Sequence, residues 1–314
     1  MVGKATAATS GDTSDGAAEN LLAGLVLLGG RSGETSLSIL HQDTAHITVV
    51  KGVGPPGLAC VAEACDAGNV TPLPRAAIVY VDERLVVLNK PAGVSLATRR
   101  IEPHAAVARL LATLPASERE SYGLHADDLL LAHRLDVGTS GLVLLARDAE
   151  AHRELVRGLS THRIGKTYIA LVWGRPRPRT GQWVWPLGPN RDDRRRMRVD
   201  PAGRRALTSY HVLAAAPHVS LLALTPYTGR THQLRVHLAY AGHPIVGDDL
   251  YGGPRQHGVS DAALRRHLEP AFPFLHAWRL ELPAGVAMAE LRLQAELPEP
   301  FAAALTALAI PAPA

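Results

Sequence analysis

The stretch Ala132-His133-Arg134-Leu135-Asp136-Val137-Gly138-Thr139-Ser140-Gly141, followed by the apolar run Leu142-Val143-Leu144-Leu145-Ala146, decides how the rest of the chain is read. A loop carrying His, Arg and one Asp is closed by a Gly-bounded Thr-Ser turn and runs straight into a strand of buried type. The strand holds the loop still and the loop exposes the acid, which is how a fold presents a carboxylate rigidly at a sheet edge. Asp136 is therefore the first candidate for chemistry. An Arg-x-Asp triplet alone is more often a turn cap with a solvated Arg, so the reading depends on what the flanking segments add.

Working outward, Asp148 is placed to cap a helix that buries His152, Leu155, Val156 and Leu159 at helical spacing. That helix leads into Lys166-Thr167-Tyr168-Ile169-Ala170-Leu171-Val172-Trp173-Gly174, whose β-branched content marks a strand. Upstream, Ile78–Val81 and Leu85–Leu88 read as two strands joined by a charged turn and stopped by Asn89-Lys90-Pro91-Ala92-Gly93. The spacing of Val107, Leu110, Leu111 and Leu114 predicts a helix over 103–114. In the second half, strands are expected near Trp183–Trp185, Ala206–Leu213, Val219–Leu224, His276–Leu282 and Leu291–Ala295, with a short terminal helix from Glu299. A helix over 230–241 places Leu234, Leu238 and Ala241 on one face, with Gly242 and Pro244 ending it. Many strands of antiparallel type with few interspersed helices indicate an α+β fold rather than a doubly wound sheet.

Composition narrows the class. Across 314 residues, 46% are hydrophobic and 20% charged, which describes a soluble globular protein with room for a large core. No apolar run approaches the ~18 residues of a membrane span, and no secretory leader is recognisable at the start. Cys60 and Cys65 are too few for a disulfide framework or a zinc site. These features point to the cytoplasm. The net charge of +4 is matched by a single segment, Arg191–Arg205, where seven Arg outnumber three Asp by four. Such a run is either a solvated loop or a contact for phosphates. Residues 29–35 imitate a phosphate loop, but Leu28 stands where its first Gly belongs and Glu34 where its Lys must meet the phosphates.

Three separated segments each offer one unusual polar residue, Asp136, Tyr168 and Arg235, and here a resemblance becomes specific. His133-Arg134-Leu135-Asp136-x-x-Thr139-Ser140-Gly141 resembles the active-site signature of the RluA family of pseudouridine synthases. Asn89-Lys90-Pro91-x-Gly93, Lys166-x-Tyr168-x-Ala170-Leu171-Val172-x-Gly174, Gly229-Arg230-Thr231-His232-Gln233-Leu234-Arg235-Val236-His237-Leu238 and Gly242-His243-Pro244-Ile245-Val246-Gly247-Asp248 match it in the same order. The resemblance covers residues 76 to about 297.

It implies a mostly antiparallel mixed sheet with flanking helices and a central RNA-binding cleft, in a catalytic domain over 76–310. It also implies an enzyme that turns uridine to pseudouridine in ribosomal large-subunit RNA or tRNA, without cofactor or metal and as a monomer. Asp136 would attack C1′ or remove a proton from C2′, Arg235 would compensate its charge, and Tyr168 would stack on the target base. Leu234 would form an apolar wall, and Arg134 would fill the gap left by the flipped uridine. His133, Lys166, Arg230 and His232 are candidate RNA or loop contacts, with a hydrogen-bonded structural role as plausible for the two histidines. Residues 1–75 are expected to be a partly disordered extension without the S4 module that many relatives carry.

Other chemistries fit less well. Gly138-Thr139-Ser140-Gly141 is one residue short of the serine-hydrolase elbow. His232 and His237 lack the spacing and the Glu of a zinc protease. A glycosidase needs a second carboxylate near Asp136. The rival from another class is a catalytically silent RNA-binding protein on the same fold.

Overall fold

The architecture comes from a computed structural model, which describes residues 76–97, 104–253, 255–285 and 290–313. The expected extension over 1–75 lies outside the described residues. In chain order the elements are β1 (Ala77–Val81), β2 (Leu85–Lys90), α1 (Ala105–Leu111), α2 (Ala116–Ser121), β3 (Leu130–Leu131), β4 (Ser140–Ala146), α3 (Ala149–Ser160), β5 (Gly165–Trp173) and β6 (Thr180–Trp183). They continue with β7 (Leu187–Pro189), β8 (Met197–Val199), β9 (Thr208–Ala215), β10 (Val219–Pro226), α4 (Gln233–Tyr240), α5 (Ala262–His267), β11 (Leu275–Leu282), β12 (Leu291–Gln294) and α6 (Glu299–Ala307).

One ten-stranded sheet runs β1-β2-β4-β11-β5-β10-β9-β6, with β3 added to β4 and β12 to β11. Its pairs are antiparallel except β4 with β11, which are parallel. The strand that follows the Asp136 loop lies inside this sheet, and every residue of β4 is buried. Its period of two divides the packing. Leu142 and Leu144 join Leu155 of α3 on one face, while Val143 and Leu145 meet Val107 and Leu110 of α1 on the other. A further cluster gathers β5, β10, Leu234 and Leu238 of α4, and Phe301 of α6. The α+β fold is thus observed, with helices on both faces of the sheet.

Gly141 is the residue that allows the parallel pairing. Its φ is +112°, and a Cβ there would overlap the backbone of Ala277, its partner on β11. Asp148 caps α3 as expected, its Oδ1 accepting from the backbone N–H of Glu150 and Ala151 at 2.8 Å each.

Several expectations need correction. Val156 is exposed, because α3 buries the stripe of Ala151, Leu155 and Gly158, and Val156 points about 100° away from Leu155. The helix placed at 230–241 starts at Gln233. The Gln233 Oε1 accepts from the Arg230 N–H and the Thr228 hydroxyl, closing a turn, and His232 enters the left-handed region at φ +55°. The Trp-rich strand ends at Trp183, with Trp185 followed by a proline.

Candidate active site

The loop of Asp136 is stitched to its surroundings backbone group by backbone group. The Ala132 N–H donates to the Leu144 carbonyl at 3.0 Å, and the Leu144 N–H donates to His133 Nε2 at 3.2 Å. The Thr139 N–H closes a turn onto the Asp136 carbonyl at 3.0 Å, and the Gly93 N–H reaches the Val137 carbonyl at 2.7 Å. Burial and the nearby Lys166 ammonium push His133 down to about 3, so its imidazole is neutral and accepts from β4. The histidine of the signature therefore splices loop to strand, the structural alternative left open by its sequence.

Beneath the loop lies Lys90, at the end of β2 and fully buried. Its ammonium donates to the carbonyls of Pro91 at 2.8 Å, Val94 at 3.0 Å and Val137 at 3.3 Å. Burial lowers Lys90 to about 8, and the Asp136 carboxylate opposes that shift.

Opposite stands Arg235, brought by α4. Its Nη1 is 3.9 Å from Asp136 Oδ2, a contact without a hydrogen bond. Its firm partner is Asp248, whose Oδ2 accepts from Nε and Oδ1 from Nη2, each at 2.7 Å. The guanidinium also lies 5.0 Å from the centre of the Tyr251 ring. Arg235 thus meets Asp136 as expected, while a second carboxylate holds it in place. Its own burial is outweighed by the two carboxylates, which keep it firmly protonated.

Tyr168, on β5, has its phenol raised well above the usual range by burial and by the Asp136 charge, so the hydroxyl stays protonated. Burial lowers Lys166 two residues away. Leu234 is buried and Arg134 exposed at the cleft. His232 Nδ1 lies 2.8 Å from the Tyr251 hydroxyl, and the Arg230 Nε donates to the Arg205 carbonyl at 3.0 Å. All nine candidates, His133, Arg134, Asp136, Lys166, Tyr168, Arg230, His232, Leu234 and Arg235, line one cleft of about 470 Å³. Among the described residues no three His, Cys, Asp or Glu side chains converge as a metal site would require, and no helix is long and apolar enough to cross a membrane.

Comparison with known proteins assigns the chain to a family. Residues 84–240 match the RNA pseudouridylate synthase family. Over 191 residues the chain is 35% identical to the dual-specificity RNA pseudouridine synthase RluA of Escherichia coli K12, a match covering 60% of this chain and 82% of that protein. The chain belongs to the RluA family of RNA pseudouridine synthases. An uncharacterised RNA pseudouridine synthase of Chloroflexus aurantiacus is 47% identical over 152 residues, which are 48% of this chain and 45% of that longer protein. Among solved structures, human RNA pseudouridylate synthase domain containing 4 superposes with a TM-score of 0.59 at 29% identity, covering 76% of this chain and 94% of that one. In this family member, three side chains packed around the charged groups of the cleft escaped sequence reasoning: Asp248, Tyr251 and Lys90. Asp248 closed the last matching motif and Lys90 stood in the first, but neither motif said that its charge is buried.

Proposed function

We propose that this chain isomerises specific uridines in structured RNA, ribosomal large-subunit RNA or tRNA, with Asp136 as the reacting carboxylate and the uridine flipped into the cleft. The observation that carries the reading is the meeting of Asp136, Arg235 and Tyr168 in one cleft walled by Leu234. The reaction breaks the bond from N1 to C1′, turns the base and forms a bond from C5 to C1′. The C5 proton is lost and N1 gains one, so the product is an isomer. Asp136 opens the sequence by attack at C1′ or by taking a proton from C2′. Lys90 and Arg235 bring positive charge to it, which offsets the cost of holding a carboxylate in a cleft dried by the base. Tyr168 offers a face for stacking and a neutral hydroxyl to relay the C5 proton. Arg134, exposed beside Asp136, fills the vacated place in the RNA stack. We place the enzyme in the cytoplasm as a monomer.

The test is tritium release from RNA labelled at C5 of uridine. Wild type releases label and Asp136→Asn falls to background. Substantial release by Asp136→Asn removes the carboxylate from the chemistry, and RNA binding without release by wild type favours a silent RNA-binding protein.

A further inference from the structure

A second cavity, of about 270 Å³, adjoins the catalytic cleft. Val137, Gly138, Thr139 and Arg235 line both, so the loop of Asp136 is a wall of each. The far side of the second cavity is built by the segments around Asp249 and Phe272.

Phe272 gives this cavity an aromatic surface. A Cβ at Gly93 would lie 3.0 Å from the Phe272 ring, and one at Gly138 3.7 Å from it. The ring therefore rests on bare backbone of two loops, one leaving β2 and one carrying Asp136, while 39% of the residue stays exposed. Val137, next to Asp136, is 47% exposed although its backbone is fixed, its carbonyl accepting from the Gly93 N–H and the Lys90 ammonium. Single apolar residues scattered over a surface need no explanation, but these two face one cavity continuous with the cleft.

The charges of the cavity narrow what could cover them. Arg235 and Asp248 are paired with each other through two hydrogen bonds. Asp249 is exposed and makes no hydrogen bond or ion pair among the described residues. The catalytic cleft offers Arg134, Lys166 and Arg230 to an anion, whereas the second cavity offers an unpaired acid. A phosphate is repelled there, and so is any group that only accepts hydrogen bonds. A nucleobase is not, since its face stacks on an aromatic ring and its edge can donate. A carboxylate accepts through two oxygens side by side. Among the four bases of RNA, guanine alone carries two adjacent donors on its pairing edge, N1–H and the N2 amine. Adenine and cytosine place an acceptor beside the amine, and uracil flanks its N3–H with two carbonyls.

We propose that the second cavity is a subsite for a guanine next to the target uridine, with its face on Phe272 and Val137 and its pairing edge on Asp249. This rests on the reading that RNA delivers a flipped uridine into the cleft. It goes further in naming a base that selects the substrate.

The experiment measures binding by fluorescence anisotropy to short single-stranded RNAs holding one uridine, with guanosine, inosine, adenosine, cytidine or uridine on either side of it. Inosine is the decisive comparison, because it lacks only the N2 amine of guanosine. Wild type is expected to bind the guanosine RNA on the order of 10-fold more tightly than the inosine RNA. Asp249→Ala is expected to erase that ratio, while Asp127→Ala, at an exposed acid lining neither cavity, keeps it. Phe272→Leu is expected to weaken all the RNAs on the order of 5-fold with the ratio retained, because every base has a face to stack. Phe272→Tyr keeps the ring and is expected to bind as wild type does, and thermal melts show that each variant is folded. Equal affinity of wild type for guanosine and inosine RNAs overturns the subsite. So does a ratio that survives Asp249→Ala or falls with Asp127→Ala, and so does wild-type binding by Phe272→Leu. Wild type that binds none of these RNAs overturns it as well. Tritium release by wild type and Asp136→Asn judges the chemistry on its own, so the two readings can fail separately.

Discussion

Replacing Asp248 by Asn tests whether the guanidinium facing Asp136 is held from behind. The Asp248 side chain is 1% exposed and that of Arg235 12%, and the two hydrogen bonds between them are 2.7 Å each. Asn keeps the shape and removes the charge, leaving a nearly buried cation with half its partner. Breaking a buried pair of this kind costs about 3–5 kcal/mol, and the residual amide bond brings the expectation to about 3 kcal/mol. For a domain of this size that lowers Tm by about 6–12 °C. The consequence for the reaction follows from the 3.9 Å separation of Arg235 and Asp136. Freed from Asp248, the guanidinium closes onto Asp136 and occupies the lone pairs needed at the sugar. Tritium release is expected to fall on the order of 10- to 100-fold while RNA binding holds. The double variant Arg235→Met/Asp248→Leu removes both charges, so it is expected to melt above Asp248→Asn yet remain inactive. Thermal melts and single-turnover release give both quantities. If Asp248→Asn melts with wild type and reacts at its rate, Asp248 is not what positions Arg235.

Two further predictions follow from burial. His276 is fully buried, bonded through Nδ1 to the Ser140 hydroxyl at 2.8 Å, and lowered to about 4 by burial, while His133 is lowered to about 3. The unfolded chain protonates both near 6.5 and the folded chain does not, so their contribution is intact above about pH 6.5 and is lost as pH falls toward 4 and then 3. By pH 5 each is expected to remove about 2 kcal/mol in urea unfolding, and identical curves at pH 7.5 and pH 5 would show that the imidazoles are not buried neutral. Gly141→Ala is expected to cost 3 kcal/mol or about that, or to prevent folding, because the added methyl overlaps the Ala277 backbone at a φ of +112°. Gly123→Ala, at φ +59° in open space, should cost only about 1 kcal/mol, and equal melts for the two variants would contradict the close β4–β11 approach.

What the sequence disclosed depended on how local each signal was. The cap of α3 by Asp148 is legible because donor and acceptor are two and three residues apart. The continuous apolar run of β4 reads as a strand buried on both faces because nothing polar interrupts it. Val156 was misplaced by one helical step because Gly158, which completes the buried stripe of α3, carries no apolar signal. β7 and β8 were missed because three residues each give no periodicity to detect. Asp136, Tyr168 and Arg235 emerged through the motifs around them, and the structure brings them to one cleft. Asp248 is different in kind. Its burial is produced by the anchoring of the preceding residues on β5, where the Val246 N–H donates to the Leu171 carbonyl, a contact no local pattern encodes. Lys90 defeats the usual expectation that lysine is exposed, since its burial depends on three carbonyls converging from two loops.

These two missed residues explain how positive charge reaches one carboxylate and still leaves it available. Charges alternate across the site as Lys90, Asp136, Arg235 and Asp248. The outer members are engaged elsewhere, Lys90 by carbonyls and Asp248 by two hydrogen bonds from Arg235. A lone Arg beside Asp136 would collapse into a bidentate pair and spend the carboxylate's lone pairs. With Arg235 already committed, Asp136 feels its positive field at 3.9 Å without surrendering an oxygen to it. Lys90 adds a second positive charge from below while its protons point to backbone oxygens of Pro91, Val94 and Val137. The remaining exposure of the Asp136 side chain, 29%, is the face open to the cleft. Electrostatic support and chemical freedom thus come from separate groups, and this separation is why the buried acid behind the arginine matters as much to the proposed reaction as the arginine itself.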